Sequence, residues 1–316
     1  MRQKYLIPSM VFLLLVVATL FVFYNTGKNL DFVLPRRLIR LATMLVVGIS
    51  VAYSSIIFQT ITNNRILTPA IMGYESIFIL FQTILVFFYG DRTFQAITQE
   101  ENFFYAVVLM MGFSVFMYVL IFGKAKRNIY QLLLVGVVLG ALFQTLGQFI
   151  QIVIDPNEFS IVQNFMFVSF TKMNTQLLLI ASITLLVSLV YVHRYLKYLD
   201  VISLGRDIAV NLGLDYEKLI RKFMLVIAVL VSVSTALVGP ITFLGILVAN
   251  LTYELCVTKK HRLVVVCCSL LSCLFLVVGQ FLVEHVFNFS TNVTIVINFV
   301  GGLYFMYLIF NSRKRI

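Results

Sequence analysis

Apolar residues in this chain run in long unbroken stretches, without the alternation of a half-buried strand, and short polar segments separate them. Ten such stretches follow one another, over residues 5–24, 38–60, 72–89, 103–122, 129–153, 174–193, 219–238, 241–257, 263–283 and 292–311. Each is close to the roughly 17–25 residues with which an α-helix crosses a bilayer. In lipid only helices and closed barrels satisfy every backbone polar group, and barrel strands would alternate apolar with polar positions. The pattern therefore predicts an all-α polytopic membrane bundle of about ten transmembrane helices, a single domain over residues 1–316. The first stretch follows Arg2 and Lys4 like a secretory leader, yet no small-residue cleavage pattern precedes Tyr24. An uncleaved first helix is expected.

One interruption differs from the rest. Residues 200–218 carry Ile202, Leu204, Ala209, Leu212 and Leu214 among charges, with Gly205 and Gly213 as natural helix breaks. This predicts two short helices joined by a turn at the membrane surface, kept there as a docking element.

Composition adds orientation. The chain is 61% hydrophobic and only 12% charged, with a formal charge of +11. With a cytoplasmic N-terminus and ten spans, all of the 24 Lys and Arg fall inside except Lys28, Arg36, Arg37, Arg40, Arg92 and Lys172. That is the asymmetry of the positive-inside rule, so the charge reflects topology and gives little reason to expect nucleic acid. Both termini are expected in the cytoplasm.

Catalytic signals are few. No phosphate-binding G-x-x-x-x-G-K-[ST] loop occurs, and His193, His261 and His285 stand at span ends without metal-ligand spacing. Cys256, Cys267, Cys268 and Cys273 fit neither an external disulfide framework nor a zinc site and read as packing residues. Arg37-Leu-Ile-Arg40 before the second span is echoed by Lys218-Leu-Ile-Arg221 before the seventh, which either relates inverted halves or is chance.

Polar residues inside spans mark candidate path positions. Gln144, Gln148 and Gln151 share a face of the fifth span, serving either a water-filled route or interhelical hydrogen bonds. Glu75 in the third span and Asn298 in the tenth are candidates of the same kind, with a satisfied structural partner as the alternative for Glu75.

Four motifs then carry a resemblance. Arg36-Arg37-Leu-Ile-Arg40 opens the second span, and Phe58-Gln59-Thr60 leads through Asn63-Asn64-Arg65 and Pro69 to Gly73. The Leu204 to Gly213 segment and Gly239-Pro240-Ile-Thr-Phe243-Leu-Gly245 follow in order. Together they resemble the ferric-siderophore permease family, which includes the cobalamin importer permeases. Within it the chain looks like the second permease subunit of petrobactin-type importers of Gram-positive bacteria.

The resemblance implies a type II ABC importer permease that forms the translocation path for a ferric siderophore. It implies pairing with a second, homologous permease chain, two ATPase subunits below and a substrate-binding lipoprotein above, in a bacterial cell membrane. Leu204, Gly205, Arg206, Asp207, Ala209, Leu212 and Gly213 would couple to the ATPase, and Arg36, Arg37 and Arg40 would receive the binding protein. No cofactor is expected on this chain, and ATP and Mg belong to the ATPase. Two departures stand out: Val33 replaces an arginine usual before the Pro35-Arg36 pair, and Ala249-Asn250 stands where many members have Pro-His. An ion-coupled secondary transporter would instead use Glu75 as a relay and leave residues 200–218 without a purpose. A purely structural subunit would not need the Gln144 and Gln148 face.

Overall fold

The computed structural model describes residues 2–25, 30–122, 129–171, 174–256, 258 and 260–312. Lys28, Lys124, Lys126, Arg127, Lys172, Lys259 and Arg313 to Arg315, used above to assign sides, lie outside the described residues. Among the described residues every regular element is a helix. In order they are α1 (Arg2–Phe23), α2 (Leu30–Ile61), α3 (Tyr74–Tyr89), α4 (Thr93–Ala96), α5 (Gln99–Phe122), α6 (Ile129–Val153) and α7 (Pro156–Met166). After them come α8 (Thr175–His193), α9 (Leu196–Ile202), α10 (Arg206–Asn211), α11 (Tyr216–Val238), α12 (Thr242–Leu255), α13 (His261–His285) and α14 (Val293–Ser312).

Eight of these helices are long and apolar enough to cross a membrane, and α12 and α14 contribute two shorter apolar stretches. They coincide with the ten apolar runs. At about 1.5 Å per residue the 32 residues of α2 reach roughly 48 Å, well past the ~30 Å hydrocarbon core.

The centre of the bundle is α2, α11 and α13, whose Val47, Ile56, Phe58, Phe223, Ile227, Cys268 and Leu276 are fully buried. Helices α1 and α8 lie outside them and expose large apolar side chains, among them Phe12, Leu15, Leu186 and Val187, as a lipid-facing surface requires. Several hydroxyls inside this apolar interior are satisfied locally. Thr43, Ser50, Thr60, Ser234 and Thr252 each donate to the carbonyl four residues earlier on their own helix.

Two breaks shorten α3 and α12 and bring their starts together. After α2 the chain turns back through Asn63 and enters a 3-10 turn, Pro69–Met72, before α3. Gly73 takes φ +87°, and a Cβ there would lie 2.8 Å from the Cα of Gly140, so two glycines let α3 and α6 touch backbone to backbone. The second break is Gly239-Pro240-Ile241 between α11 and α12. There Thr242 Oγ1 donates to Glu75 at 2.6 Å, and the backbone of Ile241 also bonds this carboxylate. An acidic group at a helix N-terminus faces orphan N–H donors and the positive end of the dipole. Glu75 thus caps α12 from the first turn of α3.

Candidate functional site

The polar segment forms α9 and α10 at one end of the bundle, beside the ends of α2 and α13. Its first helix begins earlier than residue 200, because Leu196 and Leu199 continue the apolar pattern past the end of α8. These two residues and Ile202 are buried, which seats α9 against the bundle. Ile202 thereby faces inward.

Helix α10 is set off by two glycines. Gly205 holds φ +106° and ψ 160°, a region essentially restricted to glycine, and Gly213 holds φ +81°. At the far end Leu214 N–H donates to the Ala209 carbonyl and Gly213 N–H to that of Val210, a Schellman cap that closes the helix. Asp215 then caps α11, accepting from the backbone N–H of Lys218 at 3.2 Å and pairing with its ammonium at 2.7 Å. The Lys218 side chain is the main cause that holds the Asp215 carboxyl below its ordinary range. Lys222 donates to the hydroxyl of Tyr195 at 3.0 Å, tying α11 to the turn before α9.

With both ends fixed, α10 turns Ala209 wholly inward, while Leu204, Ile208, Val210 and Leu212 stand 56%, 48%, 50% and 63% exposed. Four sizeable apolar side chains on so short a segment, beside exposed Arg206 and Asp207, make an apolar surface with a charged rim. Arg206 reaches Glu217 only at 3.8 Å with both side chains solvated, a pair that contributes little to stability. Of the coupling residues expected from sequence, Leu204 and Leu212 lie on the outer surface, Gly205 and Gly213 bound it, and Ala209 is spent on packing. Ile208 and Val210 join the surface. Their signal was present in the sequence as apolar positions four residues after Leu204 and two before Leu212.

The opposite end holds the three arginines, in a cavity of about 500 Å³ lined also by Tyr24, Phe32, Glu284 and His285. Arg37 is only 8% exposed, and its guanidinium donates to the carbonyls of Phe21, Val22 and Tyr24 at 3.1, 3.1 and 2.6 Å. A cation at the C-terminus of α1 satisfies orphan carbonyls and complements the dipole. Arg40 pairs with Glu284 at 3.0 Å, and Gln280 donates to the same carboxylate oxygen at 2.7 Å. Arg36 is the exposed member, lying over the Phe32 ring at 3.8 Å.

The path candidates separate as well. Gln144 and Gln148 lie on the exposed face of α6, beside Leu142, Leu146, Phe149 and Ile152. Gln151 turns inward and donates to Thr83 at 3.2 Å. Asn298 is half-buried on α14, its carbonyl oxygen enclosed without a protein partner. Glu75 is engaged with α12 through Thr242. All four cysteines are free and buried.

This architecture is that of a multi-pass helical membrane permease. It superimposes on a solved metal-chelate-type ABC transporter in an inward-facing conformation with TM-score 0.85 at 20% identity, over 97% of this chain and 99% of that one. Residues 5–311 match the FecCD transport family, and the chain belongs to it. It is 48% identical over 314 residues to the petrobactin import system permease protein YclO of Bacillus subtilis, covering 99% of both chains. Identity to the petrobactin import system permease protein FatC of Bacillus anthracis is 31% over 281 residues, 89% of this chain and 79% of that one. The permease protein FatD of the same petrobactin system is 23% identical over 68% of this chain and 62% of its own length. The relatives thus include two different permease proteins of one import system.

Proposed function

We propose that this chain is a permease subunit of an ATP-driven importer of ferric siderophores of the petrobactin class, with both termini in the cytoplasm. It pairs with a second, homologous permease chain, receives its cargo from a substrate-binding lipoprotein, and is driven by two ATPase subunits that carry the ATP and Mg. It binds no cofactor and catalyses no reaction of its own. The observation that carries this reading is the α9–α10 surface. Four exposed apolar side chains on and flanking a capped, glycine-bounded helix at one end of a membrane bundle have the composition of a buried interface centre. Residues 200–218 act as coupling helices that transmit the ATPase motion.

The exposed amides of α6 support the pairing. Amides turned toward lipid are costly, so the Gln144 and Gln148 face belongs against a partner permease or along the route between the two chains. Asn298 is the corresponding path candidate on α14. At the far mouth Arg36 receives acidic groups of the binding protein. An ion-coupled secondary transporter loses its main support here, because Glu75 is engaged in capping α12.

Motion follows from differential affinity: ATP favours one arrangement of the assembly and the bundles move with the segment clamped to the ATPase. The test is reconstitution of the permease pair with ATPase and lipoprotein in vesicles. Iron–petrobactin uptake that requires ATP and is indifferent to a protonophore supports the reading. Uptake that collapses with the proton gradient and ignores ATP contradicts it.

A further inference from the structure

A coupling helix transmits force only if its own attachment is stiff. Backbone turns at Gly205 and Gly213 leave α10 joined to the bundle chiefly through α9, and α9 carries a polar attachment besides its buried leucines. One carboxylate oxygen of Asp200 accepts from both the backbone N–H of His261 at 2.8 Å and the ring Nδ1 at 2.6 Å. The first bond and the charge both favour the N-terminus of α13. On the other side of the same buried imidazole, Nε2 lies 3.0 Å from the hydroxyl of Thr60, in the last turn of α2. Thr60 also stands 2.7 Å from the Ile56 carbonyl. Nδ1 faces the acceptor-only carboxylate of Asp200, and the Thr60 oxygen closes the chain at Nε2. Tyr253 of α12 also bonds Thr60, which extends the connection to a fourth helix.

We propose that Asp200, His261 and Thr60 form a strut that fixes α9 to the ends of α2 and α13, making the motion of α10 a motion of the central helices. These are positioning residues: Thr60 and His261 are buried and Asp200 is turned to His261, apart from the exposed leucines of the docking surface. The inference rests on the coupling role proposed for α9 and α10. Charge-assisted bonds of this kind are about twice as strong as neutral ones, and a chain of them has two ends on different elements.

The test uses the full reconstituted assembly with Thr60→Val, which keeps shape and helix, with Thr60→Ser as its conservative control, and separately with Asp200→Asn. Membrane abundance, ATPase co-purification, ATP hydrolysis and uptake are measured together. The strut predicts normal abundance and ATPase binding, with uptake per ATP hydrolysed falling about tenfold in Thr60→Val and Asp200→Asn and restored in Thr60→Ser. The double variant should be no worse than the more severe single one, because one removes the charge and the other the hydroxyl of a single chain of bonds. Unchanged uptake per ATP in both variants overturns the proposal. So does a loss of ATPase binding or of abundance that accounts for all the lost uptake, since that marks a docking or folding element. Failure of the wild-type chain to bind an ATPase at all contradicts the coupling role itself and is visible before any variant is made.

Discussion

The two ends of this bundle put their reactive-looking side chains to opposite uses. At the α10 end the apolar residues are left over: Leu204, Ile208, Val210 and Leu212 stay about half exposed or more while Ala209 does the packing. At the arginine end the charges are mostly consumed, Arg37 by the carbonyls of α1 and Arg40 by Glu284, and of the three Arg36 is the exposed one that can meet another molecule. A cluster of residue types is therefore weak evidence for a binding site until each member's internal partners are known. An exposed leucine beside a helix cap says more here than a buried arginine in a basic motif.

The largest effect that would sharpen this contrast is expected from Leu204→Asp. A carboxylate forced into an apolar interface centre is left unpaired, so uptake should fall on the order of 100-fold at unchanged membrane abundance. Gly213→Val should act in the same direction by opposing the positive φ of the cap, a strain of about 1–2 kcal/mol confined to α10.

Arg37→Ala should lower chain stability instead. It strips three carbonyl acceptors of a cationic donor and should cost about 2–3 kcal/mol, read as a lower melting temperature in detergent. Normal stability with lost capture of the binding protein would reverse the roles assigned to Arg36 and Arg37.

Arg36→Glu should leave stability alone and slow capture of the binding protein several-fold. The deficit should shrink as salt rises, because rim charges act on association rate. Equal capture at low salt would remove Arg36 from that interface.

The smallest effect belongs to Asp215→Asn. Its lowered pKa means that the native carboxylate stabilises the chain at neutral pH and loses that contribution as pH falls through the lowered value. The small advantage of wild type over the variant in melting temperature should therefore fade toward acid, and an advantage that grows on acidification would contradict the cap.

Most of the fold was legible because lipid removes alternatives: each apolar run long enough to span became a helix, and the ten runs match ten apolar helices. Boundaries failed where two kinds of burial look alike. Leu196 and Leu199 fall in neither the 174–193 span nor the 200–218 segment but belong to α9, since burial against a bundle and burial in lipid both select leucine. Of the coupling segment, its glycines and outer leucines were readable from local chemistry, whereas the inward turn of Ala209 depends on how α10 folds back onto α9 and α11. The bonds of Arg37, Glu75 and His261 were not readable at all. Each joins residues far apart in sequence, and spacing carries no trace of such contacts.

The central claim is that the exposed face of α10 is covered by the ATPase. Since all four native cysteines are buried, a Leu212→Cys chain offers a single accessible thiol. Labelling it with a membrane-impermeant maleimide in inside-out vesicles, with and without the cognate ATPase, tests coverage directly. Rapid labelling of the permease alone and strong protection once the ATPase is bound are the expected result. Equal labelling in both would show that this surface docks nothing of the kind.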